Sequence, residues 1–237
     1  MGTTTSDRRA FLTARWCNLI LANYAVPESL LRPHLPPGVE LDTRDGCCWA
    51  SLVAFQFLDT RVGGVGWQGY RTFPEWNLRF YVTHNGERGV CFVREFVPRW
   101  VVATIARVIY NEPYRSARMT MGITEVAETL SADYTVAWAG RIHRLRAVGG
   151  EPAYRPGPDS TEHFFKEHSW GYGTSRRGNL VRYEVRHPEW DVYPVQEFVA
   201  DVDWGLLYGP EWAVMNGREP ASVVLAAGSA VSVYPKS

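Results

Sequence analysis

Residues 73–82, with the sequence FPEWNLRFYV, are the most informative stretch of this chain. Polar and apolar residues alternate along them, which predicts a β-strand with two different faces. One face carries a carboxylate, an amide, a guanidinium and a phenol, from Glu75, Asn77, Arg79 and Tyr81. The other face carries the apolar side chains of Trp76, Leu78, Phe80 and Val82. The polar row is either a solvated surface, as in many antiparallel sheets, or the wall of a polar cavity.

Strand and turn signals continue on both sides of this stretch. The Asn-Gly pair at residues 85–86 predicts a tight hairpin turn, with residues 90–96 as the returning strand. Upstream, residues 39–41 and 48–58 predict a second hairpin around a turn at 45–46. The chain is therefore expected to consist mainly of β-strands.

Helical signals are few and short. Residues 27–32 predict one or two helical turns, and residues 161–168 predict a short helix that exposes Lys166 to solvent. Residues 98–109 place Val and Ile residues at helical spacing, although the same residues also suit a strand. We therefore predict a mainly β fold with a few α-helices: an antiparallel β-barrel or sandwich with two or three flanking short helices.

The composition indicates a folded, globular protein of one domain. Of the 237 residues, 46% are hydrophobic and 21% are charged, which allows a sizeable core. We expect residues 1–237 to form a single domain, with residues 1–10 as a flexible N-terminal tail. The 25 Lys and Arg residues balance 25 Asp and Glu residues, which argues against nucleic acid or a membrane surface as the main partner. No segment resembles a secretion signal or a membrane span, so we expect a cytoplasmic protein.

Sequence motifs for metals and cofactors are missing. The six histidines are scattered, and His163 and His168 do not have the i, i+4 spacing of a helical zinc site. The adjacent residues Cys47 and Cys48 do not have metal-ligand spacing either. No phosphate-binding or dinucleotide-binding glycine motif occurs. We therefore expect neither a metal nor a cofactor.

Several segments of the chain resemble the YqjF-like family of uncharacterised bacterial proteins, and they keep that family's order. They are RWCNL at 15–19, NYAVPESL at 23–30, LPPGVEL at 35–41, FPEWNLR at 73–79, AR at 106–107, PYRSARM at 113–119 and HPEW at 187–190. That family is similar in turn to acetoacetate decarboxylase. The resemblance implies an acetoacetate decarboxylase-like fold in which the polar row of residues 73–82 faces an internal cavity. By analogy with that superfamily, it also implies a homo-oligomer.

The resemblance to acetoacetate decarboxylase ends where that enzyme carries its nucleophile. Glu75 falls at the position of an active-site glutamate, and Arg15 lies near the position of an active-site arginine. However, Tyr114 and Arg115 follow Pro113 where the decarboxylase has two lysines, the first of which forms the Schiff base. Tyrosine cannot form an iminium, and arginine stays protonated. We therefore predict that this chain is not a decarboxylase of the usual Schiff-base mechanism.

Two hypotheses about function follow. In the first, the cavity binds a small, partly apolar molecule, expected to be a carboxylate or an oxo acid, without Schiff-base chemistry. In the alternative, the protein is a lysine-independent lyase or hydratase/isomerase for a small oxo acid, with Glu75 as general acid/base and Tyr114 as proton donor. The candidate ligand-binding residues are Arg15, Asn77, Arg79, Arg107, Arg115 and Arg118. The enzyme hypothesis predicts that the pKa of Glu75 is perturbed.

Overall fold

The computed structural model describes residues 9–66, 69, 71–98, 113–126 and 129–236, and it shows a mainly β protein. The described strands are β1 Leu12–Val26, β2 Glu40–Leu41, β3 Cys48–Val62, β4 Phe73–His84, β5 Glu87–Val97, β6 Tyr114–Ser116, β7 Arg118–Val126, β8 Thr129–Trp138, β9 Arg141–Gly150, β10 Trp170–Thr174, β11 Leu180–Arg186, β12 Val192–Tyr193, β13 Val195–Asp201 and β14 Ser222–Val233. The described α-helices are α1 Glu28–Leu31, α2 Thr161–Lys166 and α3 Trp204–Tyr208, and short 3-10 helices span Arg32–His34 and Pro210–Met215.

These elements confirm the predicted fold class, a mainly β protein with a few short helices. Residues 99–109, whose helical or extended character the sequence leaves open, lie outside the described residues, and Arg107 lies among them. None of the described helices combines the length and the apolar character that crossing a membrane would require.

The strands form two sheets that pack as a sandwich. In the larger sheet the strand order is β2-β4-β3-β1-β14-β11-β10-β5-β6, with β12 paired to β14 and a further pairing between β4 and β5. The smaller sheet has the order β13-β9-β8-β7. The joints between β10 and β5 and between β11 and β14 contain two residue pairs each. Of the two predicted architectures, the structure is therefore sandwich-like and not a closed barrel.

Of the two hairpins predicted from turn signals, the structure contains one. The turn at Asn85 and Gly86 joins β4 to β5 as predicted, and both residues have positive φ values, 51° and 79°. The predicted hairpin between residues 39–41 and 48–58 is wrong, because β2 pairs with β4 instead. β3 is paired with β1 on one side and with β4 on the other, which leaves no free edge for β2.

β4 contains the alternating stretch, and both of its faces are buried. Its apolar face belongs to the main core, together with side chains of β8, β9 and α3. In this core the indole Nε1 of Trp76 donates a hydrogen bond of 2.8 Å to the hydroxyl of Tyr208. The polar face borders a cavity. The polar row is therefore a cavity wall and not a solvated surface.

A β-bulge in β1 changes which of its residues face this cavity. The register between β1 and β3 shifts around Asn18, whose φ is 55°. Trp16 lines the cavity before the bulge and Leu19 lines it after the bulge, so the inward-facing positions change from even to odd numbers. β14 approaches β1 closely here, because a Cβ atom at Gly228 would lie 1.9 Å from the carbonyl oxygen of Trp16. Position 228 therefore requires glycine.

Candidate functional site

The cavity beside β4 has a volume of about 250 Å³ and is bordered by side chains of β1, β3, β5, β10 and β11. Most of its wall is apolar or aromatic. Its charged and hydrogen-bonding side chains include Glu75, Asn77, Arg79, Tyr114, Lys166 and His168. Apolar walls with a few convergent polar groups are typical of sites that bind small molecules. The structure therefore brings four of the predicted site residues, Glu75, Asn77, Arg79 and Tyr114, to one cavity.

Glu75 is held in the wall by two side-chain hydrogen bonds. Its side chain is almost fully buried, with an exposed fraction of 4%. The Tyr114 hydroxyl donates to Oε2 at 2.9 Å, and the Asn77 amide nitrogen donates to Oε1 at 3.0 Å. Burial raises the pKa of Glu75 to about 7, against the opposing effects of these hydrogen bonds and of the Arg79 charge. Glu75 can therefore exchange a proton near neutral pH.

Tyr114 is a hydrogen-bond donor at the same end of the cavity. β6 pairs in parallel with β5, which places Tyr114 next to Glu95. Burial raises the pKa of Tyr114 well above its usual value, and the charges of Glu75 and Glu95 raise it further. The phenol therefore stays protonated and can donate to a carboxylate or to a developing negative charge.

Glu95 is a cavity residue that the sequence prediction missed. It is 1% exposed, and it lies opposite Asn77 in the β4–β5 hairpin. The Asn-Gly turn by itself would pair residue 95 with Trp76, on the core face of β4. An irregularity between Leu78 and Arg79 shifts the register by one residue and moves Glu95 to the cavity face. The alternating pattern carries no signal for that shift.

Arg79 is a buried cation in the opposite part of the polar row. Its exposed fraction is 9%, and its Nη2 donates to the backbone oxygen of Phe165 at 2.7 Å. Its Nε has no hydrogen-bond partner in the described part of the chain. No described carboxylate forms an ion pair with it, since Glu75 hydrogen bonds to Asn77 and Tyr114 instead. As expected from their spacing along β4, Glu75 and Arg79 do not pair directly.

The prediction that Lys166 is exposed to solvent is wrong. Lys166 is 1% exposed and lines the cavity. It is the last residue of α2, a six-residue helix in which Phe164 and Phe165 are buried as well. The first three residues of this helix are exposed or half-buried and its last three are buried, which places Lys166 on the cavity side. The ammonium group of Lys166 forms a close ion pair with the carboxylate of Glu167.

Two histidines also belong to the cavity wall. Both ring nitrogens of His168 are buried and lack a partner among the described residues. Burial lowers the pKa of His168 well below its usual value, and the charges of Arg79 and Arg88 lower it further. His187 stacks on the ring of Trp190 with a centroid separation of 4.2 Å, and burial lowers its pKa too. Within the described ranges, no group of three or more His, Cys, Asp or Glu residues could hold a metal ion.

Three of the predicted arginines lie outside the cavity lining. The side chains of Arg15, Arg115 and Arg118 are exposed. Strand alternation explains the first two, because Trp16 and Tyr114 are the neighbours that point inward. Arg115 donates to the backbone oxygen of Tyr114 at 3.3 Å. Arg107 lies outside the described residues, so its place in the site stays a prediction.

The fold is similar to that of acetoacetate decarboxylase-like proteins. The enduracididine biosynthesis enzyme MppR, in a complex with pyruvate, matches with a TM-score of 0.65 and 14% identity, over 98% of this chain and 91% of that chain. Acetoacetate decarboxylase from Legionella pneumophila matches with a TM-score of 0.61 and 14% identity, over 99% and 89%. An acetoacetate decarboxylase-like enzyme from Sphingomonas wittichii RW1 matches with a TM-score of 0.57 and 14% identity, over 100% and 94%. This chain thus has an acetoacetate decarboxylase-like fold.

The sequence comparison gives the family. Residues 13–230 match DUF2071, described as an uncharacterized conserved protein, and the chain belongs to that family. The uncharacterized protein YqjF of Bacillus subtilis (strain 168) is 27% identical over 183 residues, which are 74% of this chain and 72% of YqjF. The predicted YqjF-like family is confirmed, and so is the predicted acetoacetate decarboxylase-like fold.

Proposed function

We propose that the cavity binds a small, partly apolar carboxylate or oxo acid, and that it does so without a Schiff base. The observation that carries this proposal is the convergence of Asn77 and Arg79 on a largely apolar cavity. A buried guanidinium without a carboxylate partner favours an anionic ligand, since pairing offsets the cost of burying its charge. The volume of about 250 Å³ lies just below the range of roughly 300–1,000 Å³ that small-molecule pockets occupy.

The likeness to MppR supports the choice of an oxo acid. That protein has been determined in a complex with pyruvate, and it shares the fold of this chain at 14% identity. The proposal excludes an iminium for two reasons. Tyr114 and Arg115 replace the lysines that the resemblance would place there, and the ammonium of Lys166 is ion-paired with Glu167. Attack by Lys166 on a carbonyl would require the loss of both its proton and this ion pair.

Native mass spectrometry and calorimetric titration would test this proposal. The probes are pyruvate, 2-oxobutanoate and, as a neutral control, acetone. We expect both acids to bind and acetone not to bind. We expect Glu75→Gln to keep its affinity for the acids, because the carboxylate contact is assigned to Arg79. Failure of both oxo acids, and of the simple carboxylate propanoate, to bind would contradict the proposal.

Borohydride added during the same titration distinguishes covalent from non-covalent binding. Reduction would fix an iminium as a permanent mass increase on the peptide that contains Lys166. We expect no increase with either oxo acid. A stable adduct on Lys166, absent in Lys166→Met, would show that Schiff-base chemistry operates from a position that the decarboxylase comparison does not indicate.

A second candidate function is a lysine-independent lyase or hydratase/isomerase for a small oxo acid. The specific observation in its favour is that the pKa of Glu75 is raised to about 7, with the Tyr114 hydroxyl donating to the same carboxyl. A general acid/base with this pKa could remove a proton from the carbon next to a carbonyl. Exchange of the methyl protons of pyruvate for deuterium, followed by NMR, would test it. An enzyme should lose this exchange in Glu75→Gln while ligand affinity is retained, whereas a binding protein should not accelerate exchange at all.

A further inference from the structure

The part of the cavity wall around Arg79 contains polar atoms whose hydrogen bonding is incomplete. Asn77 Oδ1, Arg79 Nε and both ring nitrogens of His168 are buried, and none of them has a partner in the described part of the chain. All three side chains line the same cavity. Buried polar atoms in folded proteins are almost always hydrogen-bonded, so a cluster of exceptions in one cavity wall indicates a ligand that supplies partners there.

The chemistry of each atom restricts that ligand. Arg79 has only donors, and no described carboxylate is paired with it, so an anionic acceptor would best offset the burial of its charge. The charge of Lys166 does not compete for this anion, because Lys166 is ion-paired with Glu167. A carboxylate is the simplest anion that accepts from a guanidinium in a cavity of about 250 Å³.

Asn77 adds a second restriction. Its amide nitrogen donates to Glu75, which leaves Oδ1 as an acceptor. Asn77 and Arg79 are neighbours on one face of β4, with their Cα atoms about 7 Å apart. The ligand therefore needs a hydrogen-bond donor close to its carboxylate. A keto oxygen at that place would face Oδ1 as one acceptor against another, whereas a hydroxyl group would donate to it.

His168 completes the group as a neutral imidazole. Each neutral imidazole has one N–H donor and one acceptor nitrogen. The N–H can donate to the carboxylate, whereas the single proton of a hydroxyl group on the ligand is left for Asn77 Oδ1. His168 and Arg79 share a neighbour in Tyr81: the His168 ring lies 5.0 Å from the Tyr81 ring, and the Arg79 guanidinium carbon lies 5.8 Å from the centre of the same ring.

We infer, on the basis of the proposed function, that Asn77, Arg79 and His168 form a subsite for carboxylates that carry a hydroxyl group on carbon 2. The carboxylate accepts from Arg79 and His168, and the hydroxyl donates to Asn77. The ligand class is therefore a 2-hydroxy acid, or the enol form of a 2-oxo acid, in preference to the oxo form itself. His168 becomes a ligand-binding residue that the sequence patterns do not indicate.

Calorimetric titration with a matched set of probes tests this inference: 2-hydroxypropanoate, propanoate and 2-hydroxypropanamide. We expect 2-hydroxypropanoate to bind about fivefold more tightly than propanoate, as one neutral hydrogen bond allows. The amide, which has the hydroxyl but no charge, should not bind measurably. In Asn77→Ala the ratio of the affinities for 2-hydroxypropanoate and propanoate should fall to about one. This ratio is internal to each variant and does not depend on how much of the protein is folded.

Matched variants separate the subsite from general effects on the fold. Arg79→Met should weaken binding of both carboxylates by at least about tenfold, as expected for a charge-assisted hydrogen bond. Arg94→Met is the control, because Arg94 also donates to a backbone oxygen, that of Leu207, but does not line the cavity. His168→Gln should weaken binding, and His143→Gln should not, since His143 is a buried histidine away from the cavity.

The outcomes distinguish this inference from the function on which it rests. Equal affinity for 2-hydroxypropanoate and propanoate in the unchanged protein would overturn the subsite while leaving a carboxylate-binding cavity. An unchanged ratio in Asn77→Ala, or unchanged affinity in His168→Gln, would overturn the assigned contacts. If no carboxylate binds at all, both the subsite and the proposed function fail.

Discussion

The two faces of β4 are equally buried, but they differ in how completely their polar atoms are hydrogen-bonded. On the core face, apolar side chains pack against the smaller sheet, and the polar atom of Trp76 has a partner in Tyr208. On the cavity face, Asn77 and Arg79 contain buried polar atoms without a partner among the described residues. The core face therefore stabilises the fold, whereas the cavity face carries a free-energy cost that a ligand would offset. One strand thus presents a well-packed face and a face whose polar atoms are incompletely hydrogen-bonded.

The largest expected effect is on the free energy of unfolding, when a large side chain on the core face of β4 is removed. Trp76→Ala should lower the free energy of unfolding by about 3–5 kcal/mol, because it leaves a cavity in the main core and removes the partner of the Tyr208 hydroxyl. Denaturation in urea, followed by circular dichroism, would measure it. A loss below about 1 kcal/mol would show that the core face is not the stabilising one.

The next effect concerns Glu75 and depends on pH. Burial raises the pKa of Glu75 from 4.5 to about 7 in the folded protein, so the folded state binds the proton more tightly than the unfolded state. The free energy of unfolding should therefore fall as the pH rises from about 4.5 to 7. The contribution of this one group is about 3 kcal/mol. Urea denaturation at several pH values would measure it.

Glu75→Gln sharpens this prediction, because glutamine cannot ionise but can still accept from Tyr114. Above pH 7 the variant should be more stable than the unchanged protein by up to about 3 kcal/mol. Below pH 4.5 the two should be nearly equal. Parallel stability curves across the whole pH range would contradict the assignment of a raised pKa to Glu75.

Arg79→Met tests directly whether the unpaired buried charge on the cavity face lowers the stability of the fold. In the absence of ligand, the variant should be about 1 kcal/mol more stable, because an unpaired buried charge is replaced by an apolar side chain of similar length. Arg94→Met should be about 1 kcal/mol less stable than the unchanged protein. It loses the hydrogen bond from the Arg94 side chain to the backbone oxygen of Leu207, and it removes no unpaired charge from the cavity wall. Urea denaturation of both variants decides the matter. A destabilised Arg79→Met would mean that Arg79 is satisfied even without ligand.

The smallest effect is expected outside both faces. Arg15→Ala should change the free energy of unfolding by less than about 0.5 kcal/mol, because the side chain is exposed. It should also leave the affinity for 2-oxobutanoate unchanged. Calorimetric titration would measure the affinity. A clear loss of binding would return Arg15 to the set of ligand-binding residues and would require a rearrangement of β1.

The sequence was a good guide where a single strand or turn decides the outcome. The alternation in residues 73–82 predicted both faces of β4 correctly, and the Asn-Gly pair at 85–86 predicted the hairpin. Glu75, Asn77 and Arg79 reach one cavity because a regular strand brings every second residue to the same face. Knowing that this face is internal required the resemblance to acetoacetate decarboxylase.

The sequence was a poor guide where contacts between distant segments decide which residues line the cavity. Glu95 enters the cavity wall through a shift in register, which no alternation pattern shows. Lys166 and His168 reach it because a short helix and the segment after it pack against the polar end of β4. Conversely, Arg15 and Arg115 each lie one residue away from a position that faces the cavity. Which residues of a strand face inward depends on the strands with which it pairs.

The bulge at Asn18 limits how this fold can change in length. Before the bulge Trp16 faces the cavity, after it Leu19 does, and Ile20 belongs to the main core. One residue added to or removed from β1 at this point would exchange the cavity and core positions of the whole second half of the strand. Loops on the surface can be lengthened without such an exchange. Family members that keep this cavity should therefore keep the length of β1, and a glycine opposite the bulge at the position of Gly228.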